Sequence, residues 1–140
     1  MVCGGTSANI VARTTKKSLD VSLDYNDPDI PPIAFMEGID LVTEGVLTLR
    51  KAIELLKRYL IECDLSSEFF SELDKKNGAS MIAKILIEDC TELHMFVGTA
   101  ANSAYQNPGM AFDLGIRQNL VKQLKEAVEG MGKKVTVTYY

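Results

Sequence analysis

The sequence predicts an α/β fold, a mostly parallel sheet of about four strands covered by helices in the order β-α-β-ααα-β-α-β. Three observations predict it. Apolar or alternating stretches near residues 1–3, 19–25, 93–97 and 134–140 read as strands. Between them lie stretches whose apolar residues recur at steps of three and four, the period of a helix with one buried face. Strands that alternate with helices pair in parallel, because a helical crossover returns the chain to the same end of the sheet. A chain of 140 residues, 46% of them hydrophobic, buries one core, so residues 1–140 form a single domain.

The elements follow in order. "VCGGTSANIVAR", residues 2–13, opens with a strand over Met1 to Cys3, turns at Gly4 and Gly5, and enters a helix over Ser7 to Arg13 whose first turn Thr6 or Ser7 can cap. Strands average about five residues, so the short first strand leads one to expect that the chain is a fragment of a longer protein. Leu19, Val21, Leu23 and Tyr25 alternate with polar residues as in a strand with one wet face, and "NDPDIPP" ends it, since proline donates no backbone hydrogen bond. From Ile39 the positions Ile39, Val42, Val46, Leu49, Ile53, Leu56 and Leu60 specify one face of a long helix. Asp40 or Thr43 can cap it, and Gly45 inside it points to close approach of another backbone. Two short helices follow, one from Ser66 or Ser67 to Lys76 and one capped by Ser80 and carrying Met81, Ile82, Ile85 and Leu86. Leu93 to Val97 reads as a buried strand, and "GTAANSAYQNPGMAF" as a long loop. Asp113 caps a last helix with the stripe Leu114, Ile116, Leu120, Val121, Leu124 and Val128, ended by Gly130 to Gly132, and Lys134 to Tyr140 closes the chain as a strand.

Charge and composition exclude several classes. The formal charge is -4 and basic residues are interspersed with acidic ones, which lacks the footprint of a nucleic-acid binder. No apolar run approaches the roughly 20 residues that span a bilayer, so no membrane partner is expected. The three cysteines form no C-x-x-C pair and no signal peptide leads the chain, which reads as cytoplasmic. All three thiols are expected to be buried, with Cys3 beside the glycine loop the one to test for reactivity.

In an open parallel sheet ligands bind beyond the carboxyl ends of the strands. Three segments leave strands there. Gly4, Gly5, Thr6, Ser7 and Asn9 offer free N–H groups at a helix N-terminus, which favour a small anionic ligand such as phosphate or carboxylate. The glycines alternatively serve only to turn the chain from strand to helix, since "GGTSAN" has neither the Walker lysine nor the spaced glycines of dinucleotide folds. The second segment carries Asp27, Asp29, Glu37, Asp40 and Glu44, with Thr43 among them as a further ligand-binding candidate; the carboxylates can hold a hard cation or an amine, or form a solvated acidic loop with helix caps. The third, from Gly98, presents Asn102, Ser103, Gln106 and Asn107 as hydrogen-bonding groups, or as residues that satisfy their own loop. His94, the one histidine, lies inside an apolar strand and reads as a packed structural residue. No serine or cysteine has a recognisable base beside it.

"VCGGTSANIVAR", "DYNDPDIPP", "EGIDLVTEGVLTL" and "VGTAANSAYQNP", in that order, resemble the C-terminal extension downstream of the catalytic domain in bacterial PPM-type serine/threonine phosphatases related to stage II sporulation protein E. The resemblance runs through the whole chain. It implies an accessory domain that senses a small ligand or docks a partner, with an upstream phosphatase domain as that partner and Mg²⁺ or Mn²⁺ as the cofactor of the upstream domain. The acidic metal-binding motifs of such phosphatases, an Asp-Gly pair and a Gly-Asp-Asp stretch, have no match here, and "DLVTEGVLTL" carries Glu44 where an aspartate would stand. Phosphatase catalysis is therefore not transferred to this chain. The residues leave open a ligand-sensing module, an interaction module docking on the phosphatase domain or on a second copy, and a small enzyme for a phosphorylated or amine-bearing substrate.

Overall fold

A computed structural model of the protein describes residues 1–23, 27–62, 64–99 and 110–140, the last segment with its side chains from Gly115 onward. The chain runs β1 (Val2–Cys3), α1 (Gly5–Thr15), β2 (Asp20–Val21), β3 (Ala34–Met36), β4 (Ile39–Thr43), α2 (Val46–Ile61), α3 (Ser67–Leu73) and α4 (Gly78–Lys84). A π-helical turn over Ile85–Asp89 extends α4, and β5 (Glu92–Val97), α5 (Met110–Gly130) and β6 (Lys134–Tyr139) complete it.

The α/β class holds, but the strands form two sheets and the larger is mixed. Its order is β1-β4-β3-β2, with β1 parallel to β4 and both β3–β4 and β2–β3 antiparallel, while β5 and β6 pair in parallel as a separate two-stranded sheet. The sequence reading missed the β3–β4 hairpin, because Ile39 and Val42 continue the three-and-four spacing of α2 backwards. Ile39, Leu41 and Thr43 also alternate, and the hairpin turn at Gly38, whose φ of 81° favours glycine, places Ile39 opposite Met36. Ladder bonds to two neighbours outweigh the local helical period. Gly45 is accordingly the residue before α2 rather than one inside it, and neither Asp40 nor Thr43 caps that helix.

Both faces of the larger sheet find a cover. Val2, Ala34 and Val42 share the face on which α1 lies, packing with Ala8 and Met36. Leu41 faces the main core, built from Ala52, Ile53, Leu55 and Leu56 of α2, Phe69 and Leu73 of α3, Ile82 and Leu86 beyond Gly78, and Leu120, Leu124 and Val128 of α5. Leu93, Met95 and Val135 close that core from the second sheet. Lys57 meets Gln123 and Leu60 meets Gly130, so α2 and α5 advance in the same direction.

The short helices are set by their first residues. Ser66 accepts the Phe69 N–H and starts α3 as its spacing predicts. Asn77, rather than Ser80, caps α4: its Oδ1 accepts the Ser80 N–H at 2.9 Å, and the Ser80 hydroxyl donates instead to the Glu72 carbonyl. At α1 the residue before the helix is Gly4 and no side chain caps it, so the capping role expected of Thr6 or Ser7 is not realised. Alternation in β5 leaves Glu92, His94 and Phe96 exposed and Leu93, Met95 and Val97 half-buried. His94 is thus a surface residue beside Glu92 and not the packed one its apolar neighbours predict, because its strand has one wet face. Asp113 and residues 100–109 lie outside the described residues and side chains.

Candidate functional site

The carboxyl end of β1 and β4 is the first candidate. Parallel pairing of Val2 with Val42 and Cys3 with Thr43 brings residues forty apart in sequence to one edge. The Gly4 N–H donates to the Thr43 carbonyl at 2.8 Å, extending the ladder by one bond. Gly4 has φ 120°, which L side chains rarely adopt, and a Cβ on Gly45 would lie 3.6 Å from the Gly4 Cα. That distance is ordinary van der Waals contact, so the glycine loop neighbours Gly45 without requiring a glycine there. Both helices leaving this edge, α1 and α2, start without a side-chain cap.

A carboxylate from the chain already stands there. Glu44 Oε1 lies 3.6 Å from where a Cβ on Gly5 would sit, and Oε2 3.8 Å, against the first turn of α1. An acidic group at that point complements the positive end of the helix dipole and repels a second anion. Gly4 supplies the positive φ with which the chain leaves β1 for α1, and the loop packs against Gly45. Thr6, Ser7 and Asn9 follow on α1, all exposed. Cys3, half-buried under this edge, has its thiol pKa pushed up by burial, with the Thr43 hydroxyl opposing, which disfavours the reactive thiolate.

The remaining predicted residues do not gather at this edge. Glu37 sits in the β3–β4 turn, at the other end of β4 from Glu44, and pairs with Lys17 at 2.6 Å. Asp40 lies exposed within β4. Asp27 accepts the Asp29 N–H at 3.0 Å, a local turn bond. Gly98 follows β5 in the other sheet, and Asn102 and Asn107 fall outside the described residues. Among the described residues no three of His, Cys, Asp and Glu stand close enough to hold a metal ion.

A second candidate was missed by the sequence reading. A groove of about 290 Å³ opens between α2 and α5, lined by Arg50, Ile53, Glu54 and Lys57 on one side and Ile116, Asn119, Leu120 and Gln123 on the other. Lys57 Nζ donates to Gln123 Oε1 across it. The signal was present as a basic pair at i, i+7 and an amide pair at i, i+4. What the sequence does not show is that these two polar flanks face each other.

The third feature is the β5–β6 pair. Its outer face carries Glu92, His94, Phe96, Lys134, Thr136 and Thr138, and Glu92 accepts from Lys134 at 2.7 Å. That bond and the Lys134 charge hold the Glu92 carboxyl below its ordinary value of 4.5. Phe96, 73% exposed, stands 6.2 Å from the Tyr140 ring, itself 72% exposed. Among the described residues no third strand joins either edge of this pair.

No family model matches the chain, and neither curated proteins nor solved structures give a match. No helix among the described residues is long and apolar enough to cross a membrane.

Proposed function

We propose that this chain is a cytoplasmic accessory domain of a bacterial PPM-type serine/threonine phosphatase related to stage II sporulation protein E, docking on the catalytic domain through the β5–β6 sheet. The motifs that resemble the C-terminal extension of those phosphatases support the family. One observation supports docking over a pocket at the glycine loop: Phe96 and Tyr140 form an exposed aromatic pair on a two-stranded parallel sheet that no further strand joins among the described residues. Parallel strands are ordinarily covered on both faces, and open edges present N–H and C=O groups to any extended segment that approaches. The glycine-loop edge, by contrast, has the Glu44 carboxylate beside the first turn of α1, a charge that opposes the approach of an anion.

The test is hydrogen–deuterium exchange of the chain with and without a PPM-type catalytic domain of that family. Docking predicts slower exchange of the amides of β5 and β6, and loss of the effect in Phe96→Ser with an unchanged melting temperature. Unchanged exchange in β5 and β6, with protection elsewhere or nowhere, overturns the reading.

A further inference from the structure

We infer that the groove between α2 and α5 binds a small organic anion with an aliphatic body, a carboxylate or a phosphate monoester. The inference stands apart from docking through β5–β6, since it uses another face of the molecule. Three observations carry it.

The first is charge. Arg50 and Lys57 lie seven residues apart on α2, two turns or roughly 10 Å along its axis, and so share one flank. Glu54 lies between them, but its carboxylate is engaged by Lys51 at 3.4 Å. Lys57 has a neutral amide oxygen as its acceptor, and Arg50 has no ion-pair partner among the described residues. Two cations and one carboxylate thus line the groove among the described residues, a local excess of one positive charge on a chain of formal charge -4.

The second is shape and lining. Ile53 and Leu120, both buried, and half-buried Ile116 supply apolar groove-lining surface, against which an alkyl body loses water. The volume of about 290 Å³ is near the lower end of those that hold small ligands.

The third is hydrogen-bond supply. Asn119 and Gln123, one turn apart on α5, carry amides that donate to an anionic oxygen. An anion at this place takes over from Gln123 as the acceptor of the Lys57 ammonium, replacing a charge–neutral bond by a charge–charge one, and frees the Gln123 amide to turn towards the ligand.

The experiment is ¹⁵N–¹H NMR titration of the chain with hexanoate, hexyl phosphate and hexanol. The expected result is a saturable shift of backbone amides over 50–57 and 116–123 and of the Asn119 and Gln123 side-chain amides with both anions. Hexanol at the same concentration should leave them in place. Arg50→Gln and Lys57→Gln, both at exposed positions where the fold does not depend on the charge, should each weaken the binding about tenfold. Equal response to hexanol, shifts spread over the surface, retained affinity in both variants, or no shift at all would each overturn the inference.

Discussion

Gly78 shows how closely this core is fitted at single residues. A Cβ there would lie 2.9 Å from Thr43 Cγ2 and 3.0 Å from Thr48 Cγ2, distances at which something must move. Gly78→Ala is therefore expected to destabilise the protein by about 1–3 kcal/mol, the usual cost of overpacking, measured by urea denaturation. Thr43→Ser removes the nearest methyl, so the double variant should recover part of that loss, and strict additivity would show that the clash is not the cause. Thr48 makes a second residue-scale case, because its Oγ1 is buried with no hydrogen-bond partner among the described residues. Thr48→Val keeps the methyl and removes the unsatisfied hydroxyl, and should raise stability by about 1 kcal/mol. A loss of stability would mean that the hydroxyl is satisfied in solution.

At the scale of elements, the π-helical turn over Ile85–Asp89 is held at its side by one lysine. Lys133 donates to the carbonyls of Leu86 and, at 2.7 Å, of Ile87, two groups that the widened turn does not fully use. Lys133→Met keeps the aliphatic stem and leaves both carbonyls without that donor. A cost of about 1–3 kcal/mol is expected by thermal denaturation, and a variant as stable as the parent would show that the turn satisfies itself. The β5–β6 pair has its own pH signature. Because Lys134 lowers the folded-state pKa of Glu92, the pair's contribution is present above the ordinary value of 4.5 and is lost as pH falls through the lowered value. The melting temperature of the parent should accordingly fall more steeply below pH 4.5 than that of Lys134→Gln, and parallel pH profiles would dismiss the coupling. The existence of α2, α3 and α4 was legible because their spacing is local, as is the Ser66 cap of α3; the start of α2 and the Asn77 cap of α4 were not. The β3–β4 hairpin was not, because Ile39 and Val42 fit the helical period while Ile39, Leu41 and Thr43 fit the strand period, and the ladders to β1 and β3 decide between them.

For the whole molecule, what escaped the sequence is what depends on distant pairing. Gly4 and Gly45 meet because β1 adds to β4, and Glu44 comes near α1 for the same reason, so the loop has a neighbouring carboxylate that its own stretch of sequence does not show. Carboxylates gathered in one stretch of sequence were separated by the hairpin, which sends Glu37 to one end of β4 and Glu44 to the other. The groove was invisible for the converse reason: Arg50 and Gln123 are far apart in the chain and come together only when α2 and α5 pack side by side.

The connection from β5 through α5 to β6 sets a sequence of events. Hairpin β3–β4 closes over two residues, whereas Leu93 cannot meet Val135 until the whole of α5 has found α2. Closing the longer loop costs more entropy before any contact rewards it. Assembly should therefore begin at the hairpin and α2 and finish with β6, and a pulse-labelling experiment during refolding would see the β6 amides protected last. Until that moment the edge of β5 facing β6 stands open to strands of other molecules, which makes the final pairing the step most exposed to aggregation at high concentration.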